Sequence, residues 1–152
     1  MTEAGVNDPA PSAPTEFAVG RAIPPFVREA GFQAWNRYAA VNSEFVDIHM
    51  DDGAGRAAGY PGAFGMGNLL WSWLHRALEH WLHDRGRMEH LELRFHIPAL
   101  KGDVITCRGV VTARVEQDDG TALLELDVWA ENQTGERIAP GRARVRLGPS
   151  TT

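Results

Sequence analysis

The sequence predicts an α+β fold of a single domain, with one long helix laid across the apolar face of a mainly antiparallel sheet. Two patterns predict it. Over 68–84 the apolar residues Leu70, Leu74, Ala77, Leu78 and Trp81 recur at helical spacing, and Leu69, Trp73 and Leu82 widen the stripe. So broad an apolar surface requires other structure to wrap the helix. After Gly86 the period changes to two through four runs separated by short turn signals, so that each strand carries one apolar and one polar face. One helix on the apolar faces of such strands closes a core. The length of 152 residues and the 43% hydrophobic content suit one such core.

In chain order, residues 1–16 are acidic and rich in Pro and Ala, and read as a disordered leader; 17–148 form the domain and 149–152 a tail. The segment Ala22 to Val27 is expected to be extended at a sheet edge, because the paired prolines Pro24 and Pro25 cannot donate to an inner ladder. From Phe32 to Val41, the spacing of Phe32, Trp35, Tyr38 and Ala39 predicts a short amphipathic helix. Residues 42–66, rich in Gly, Asp and Ala, read as loop with one helical turn at 51–58. The strands are expected at Leu91/Leu93/Phe95/Ile97, at Ile105 to Val115, at Ala122/Leu124/Leu126/Val128/Ala130, and at Ala143/Val145/Leu147 against Arg142/Arg144/Arg146. Turns fall at 98–103, 118–120 and 132–135.

Charge and cysteine content exclude several classes. A net charge of -5, from 20 acidic against 15 basic residues with no basic run, argues against a nucleic-acid partner. No apolar stretch approaches membrane-spanning length, so no membrane association is expected. The lone Cys107 in a strand-like run offers neither a disulfide framework nor a thiolate metal site, and a cytoplasmic compartment fits best. His80, His83 and Asp84, with His75 and His90 nearby, invite a metal reading. No second cluster completes a ligand set, and no metal is expected.

The residues from Tyr38 onward carry a family resemblance. Tyr38-Ala39-Ala40-Val41-Asn42-Ser43-Glu44-Phe45-Val46-Asp47-Ile48-His49-Met50-Asp51, then Arg56-Ala57-Ala58-Gly59-Tyr60-Pro61-Gly62 and Gly65-Met66-Gly67-Asn68-Leu69, resemble the hydratase motif of MaoC-like proteins. Ile97-Pro98 and Gly102-Asp103-Val104 are similar to the family's entry into the next strand, and the likeness covers about 20 to 148. It implies a hotdog fold, an antiparallel sheet wrapped around one central helix. It also implies a hydro-lyase that hydrates an enoyl thioester or dehydrates the 3-hydroxyacyl form. Coenzyme A or phosphopantetheine would arrive as part of the substrate, so no separate cofactor is implied. The family's aspartate five residues before the histidine is Glu44 here, its Asn-Pro is Val46-Asp47, and its histidine before the helix glycine is Met66. The spacing also resembles the small subunits of two-chain hydratases, which implies either a homodimer or a heterodimer with a second hotdog subunit. Edge-to-edge pairing of two such sheets would remove an exposed edge strand.

That chemistry needs a base, an acid and an anion trap around one substrate. His49 with Glu44 or Asp47 would divide the proton transfers, since burial and proximity tune carboxylate and imidazole toward neutrality. Backbone amides at the start of the long helix would face the developing enolate oxygen, which points to Gly67 with Gly65 as second choice. The resemblance sets Tyr60, Met66 and Asn68 beside the substrate. Each assignment has a plainer rival: a surface His49 between Asp47 and Asp51, solvated loop carboxylates, and glycines that only permit turns. Asp51 reads as a helix N-cap. Trp71, Trp73 and Trp81 read as core or dimer contacts, and the three arginines of the last strand as a solvated face that could also meet coenzyme A phosphates. Two other functions stay open: a non-catalytic or half-site subunit that needs a partner chain, and a hotdog enzyme turned to thioester hydrolysis or another biosynthetic reaction.

Overall fold

A computed structural model of the chain describes residues 15–149. The expected leader lies outside the described residues except for its last two, Thr15 and Glu16, which open a 3-10 turn ending at Phe17. Phe17 is buried against Trp81, ring centroids 5.0 Å apart. The elements that follow are β1 (Phe26–Glu29), α1 (Phe32–Asn42), α2 (Asp47–Met50), α3 (Asp52–Ala57), α4 (Gly67–Leu82), β2 (Gly86–Leu93), β3 (Val104–Glu116), β4 (Ala122–Glu131) and β5 (Arg137–Leu147).

The strands form one sheet in the order β1-β3-β4-β5-β2, with every neighbouring pair antiparallel, and the sheet curls around α4. Helix α4 buries Leu69, Leu70, Leu74, Ala77, Leu78, Trp81 and Leu82, the stripe that its sequence predicts. Against it the sheet turns Ile105, Val111, Leu124, Leu126, Val128, Ala143 and Val145, all buried. Alternation works because successive side chains of a strand leave opposite faces. The outer face is laced by cross-strand ion pairs, Arg144 to Glu125 and Arg146 to Glu89, each 2.6 Å. Cys107 is buried in β3, and burial pushes its thiol up to about 12, so it is neither a nucleophile nor a metal ligand at neutral pH.

Several boundaries differ from the sequence reading: the edge strand is Phe26–Glu29 rather than Ala22 to Val27, and the last strand begins at Arg137 rather than near Arg142. Two further differences bear on the site. Strand β2 runs over Gly86–Leu93 rather than through Leu91 to Ile97, and Phe95 and Ile97 are exposed rather than buried. The ladder fails beyond Leu93 because the amide of Arg94 donates to Pro140, 2.8 Å, and a proline has no N–H to return the bond. The loop expected over 42–66 holds two short helices, α2 and α3, rather than one turn. Asp51 separates them and caps α3, accepting from the Ala54 amide at 2.7 Å, as its position suggested.

Candidate active site

Helix α1 ends where Ser43 turns left-handed, with φ of 56°, and this turn redirects the chain. Glu44 leaves the turn near Tyr38. Burial first, and then the Glu44 charge, hold the Tyr38 hydroxyl above its ordinary value. One extended step later the single turn of α2 begins at Asp47, whose side chain is exposed, and it carries His49 inward. His49 is the one buried polar or charged side chain recorded among the described residues, at 9% exposure. Its ring Nδ1 lies 2.7 Å from the carbonyl oxygen of Phe64. A carbonyl only accepts, so Nδ1 carries the proton, and in the neutral ring Nε2 is left as a bare lone pair.

The carbonyl that fixes this tautomer is itself held firmly. Residues 62–65 cross over α3 at Gly55, where a Cβ would lie 1.9 Å from the Gly62 oxygen, so only glycine permits the approach. Three consecutive amides are then anchored: Ala63 to Asp52 Oδ1 at 3.0 Å, Phe64 to the Ile48 carbonyl at 3.2 Å, and Gly65 to the Ala99 carbonyl at 2.8 Å. The second oxygen of Asp52 meets Lys101 Nζ at 2.7 Å. Lys101 first, and the Ala63 amide second, hold the Asp52 carboxyl below its usual range.

His49 opens into a hollow of about 220 Å³. Tyr60 and Phe64 stand beside it, their ring centroids 4.4 Å apart, and Gly67 and Leu70 at the start of α4 form another wall. The segment 95–98 supplies the remaining side, including Phe95 and His96. Phe95 lies so close over Gly67 that a Cβ there would be 2.7 Å from the ring. The amide of Gly67, the first residue of α4, has no backbone acceptor among the described residues, and Met66 before it supplies no side-chain cap.

The structure brings His49, Gly65, Gly67 and Tyr60 together around this hollow. Gly65 differs from Gly67 in one respect that matters: its N–H is already spent on Ala99, and its missing Cβ makes room for the Trp35 indole, 2.9 Å from where that atom would be. Met66 is fully buried in the core, Asn68 is exposed with its carbonyl taking the Ser72 hydroxyl, and neither lines the hollow. Glu44 and Asp47 do not line it either. A larger groove of about 580 Å³ borders Tyr38 and Ser72 on another flank of α4, without His49. Trp81 is core, while Trp71 is half-buried and donates to the Leu91 carbonyl at 3.2 Å.

His96 is the residue of this hollow that the period-two reading assigns to a polar strand face. The amides of His96 and Ile97 both donate to the single carbonyl of Ile138, at 3.0 and 3.2 Å. Two successive amides on one acceptor mark a bulge, which breaks strict alternation and re-aims side chains. Pro98 and Pro140, on the two chain segments involved, were the only sequence signals of an irregular ladder there.

No protein-family model matches the sequence, and no curated protein matches it. Solved structures do. The chain is similar to the (R)-hydratase from A. caviae involved in PHA biosynthesis, at 23% identity over 86% of this chain and 97% of that one, with a TM-score of 0.76. It is similar to the MaoC-like dehydratase from Rhodospirillum rubrum at 21% identity over 90% and 97%, TM-score 0.77. A chain of the ChsH1-ChsH2 complex from Mycobacterium tuberculosis matches at 21% identity over 86% and 98%, TM-score 0.74. These likenesses establish the hotdog fold, and the structural neighbours are MaoC-like dehydratases and (R)-hydratases. Among the described residues no helix is long and apolar enough to cross a membrane.

Proposed function

We propose that this chain is a hydro-lyase acting on an acyl thioester, interconverting an enoyl-CoA or its carrier-protein equivalent with the 3-hydroxyacyl form. The observation that carries the reading is the Phe64 carbonyl on Nδ1 of His49, which leaves Nε2 as the proton acceptor of a residue that lines a hollow bounded by the start of a long helix. In dehydration His49 takes a proton from C2 of the substrate, and in hydration it returns one. The Gly67 amide, which has no backbone acceptor among the described residues and lies at the positive end of α4, receives the thioester oxygen as enolate charge develops. Phe64 packs edge-on against the His49 ring and Tyr60 packs on Phe64, so the two aromatic rings flank the imidazole. The solved hydratases and dehydratases of the same fold support the reaction class.

Full-length protein assayed with crotonyl-CoA tests this directly. Hydration should consume the conjugated enoyl chromophore, and His49→Ala should lower kcat by about 100-fold or more, the usual worth of a positioned general acid-base group. A His49→Ala protein as active as wild type, or release of free thiol as the main product, would sink the reading.

A second reading is favoured by two placements: Glu44 turned toward Tyr38, and the exposed apolar residues Phe95 and Ile97 that line the hollow, with Phe45 and Val46 exposed just before α2. In it the site is completed by another hotdog subunit, either a second copy or a different chain, as the complex from M. tuberculosis suggests by its two named components. Turnover that appears only when a second hotdog chain is added distinguishes the two.

A further inference from the structure

Removal of a C2 proton and departure of a C3 oxygen require two groups that exchange protons, and His49 is one of them. Neither Glu44 nor Asp47 borders the hollow that His49 occupies. Among its lining residues the side chains able to exchange a proton are those of His49, His96 and Tyr60, and imidazole is the commonest general acid-base group of the three. We propose that His96 is the second proton-transfer residue of this site. The inference rests on the hydro-lyase reading and supplies the partner that reading lacks.

Geometry supports His96 independently of its residue type. It lies at the bulge where its own amide and that of Ile97 share the Ile138 carbonyl. Bulges recur beside active sites because they turn a side chain that regular pleating would send to the other face. The backbone on both sides is fixed: Arg94 is bonded to Pro140, Phe95 packs on Gly67, and Pro98 locks the next φ. His96 is an exposed residue, so solvent has access to exchange a proton with it between turnovers.

The step balances as follows. In dehydration, Nε2 of His49 takes the C2 proton, and the C–H electron pair becomes the C2=C3 π bond. The C3–O bond breaks with its electrons on oxygen, and that oxygen takes a proton from the His96 imidazolium and leaves as water. Solvent then removes the proton from His49 and returns one to His96. Hydration runs the same transfers backward, with neutral His96 taking a proton from water as its oxygen attacks C3 and the His49 imidazolium protonating C2.

Steady-state kinetics of the full chain on crotonyl-CoA test the assignment with His96→Gln and His96→Ala, folding being checked by thermal denaturation. We expect kcat to fall by about 100-fold in both with KM little changed, and added imidazole to restore turnover to the His96→Ala protein. A His96→Gln protein with wild-type kcat overturns the proposal, because glutamine fills the space and transfers no proton. So does an outcome in which Glu44→Gln or Asp47→Asn abolishes turnover while both His96 variants retain it. In those cases His49→Ala remains inactive and the hydro-lyase reading stands. A wild-type chain inert toward enoyl thioesters removes both together.

Discussion

Strands β3 to β5 and the segment from Ser43 to Gly67 are held in place by different kinds of contact. In the sheet, Ile105, Leu124, Leu126, Val128 and Val145 are buried on one face, and repeated antiparallel rungs bind each strand to the next. Losing one contact leaves the others to keep the register. In the segment, the amides of Ala63, Phe64 and Gly65 each depend on one partner, and the crossing of Gly62 over Gly55 leaves no room for a methyl group. Stability is therefore concentrated in the sheet and site geometry in the segment. The two can be broken separately, and the His49 tautomer reports the second without reference to activity.

The largest effect on stability is expected in the sheet. Leu126 is 1% exposed in the middle of β4, facing α4. Leu126→Ala should cost about 3 kcal/mol, the loss typical of removing a fully buried leucine side chain and leaving a cavity. For a domain of this size that lowers the melting temperature by roughly 10 °C. The ring nitrogens of His49 should still show Nδ1 protonated by NMR. If that signature disappears in the Leu126→Ala protein while it remains folded, the two regions are not separable.

The segment should respond the other way. In Gly55→Ala the new Cβ would lie 1.9 Å from the Gly62 oxygen, so the crossing must part although alanine suits a helix better than glycine. The stability loss should be the smaller of the two, about 2 kcal/mol, the usual scale of overpacking. The displacement carries the Phe64 carbonyl with it. His49 should lose its fixed tautomer, and turnover should fall by about 100-fold, as when a reacting group is misplaced by an ångström. Wild-type His49 ring shifts in this variant would show that the crossing does not position the site.

This division also explains what could be read from the sequence. Core positions of α4 and β3 to β5 were legible because burial repeats with the period of the element, and the period survives in the residues themselves. The Ser43 to Gly67 segment has no period. His49 stood out through its motif, yet its partner proved to be a backbone carbonyl, which leaves no trace in side-chain identity. Glu44 is five residues away along the chain, but the left-handed Ser43 turn leaves it beside Tyr38, since spacing in a loop does not fix spacing in the fold. His96 was hidden for the opposite reason. Its neighbours alternate so regularly that the run reads as strand, and Pro140 on the facing strand interrupts the ladder beyond Leu93.

The smallest effect tests whether charge contributes to holding the segment. Asp52 is half-buried, and its carboxyl is held below the ordinary 3.8 by Lys101 and the Ala63 amide. Asp52→Asn keeps an oxygen for the Ala63 amide and removes only the charge facing Lys101. Because the folded carboxyl titrates below its unfolded value, its contribution is complete above the unfolded value and fades as pH falls through the folded one. The stability difference between wild type and Asp52→Asn should therefore be small and constant above roughly pH 5, then shrink toward zero as the solution is acidified below the ordinary carboxylate range. Salt should reduce it as well, since a partly exposed pair is screened. A difference that persists undiminished in acid would mean that the Asp52 charge does not anchor the segment, and that the anchoring rests on the Gly55 crossing and the two backbone bonds of Phe64 and Gly65.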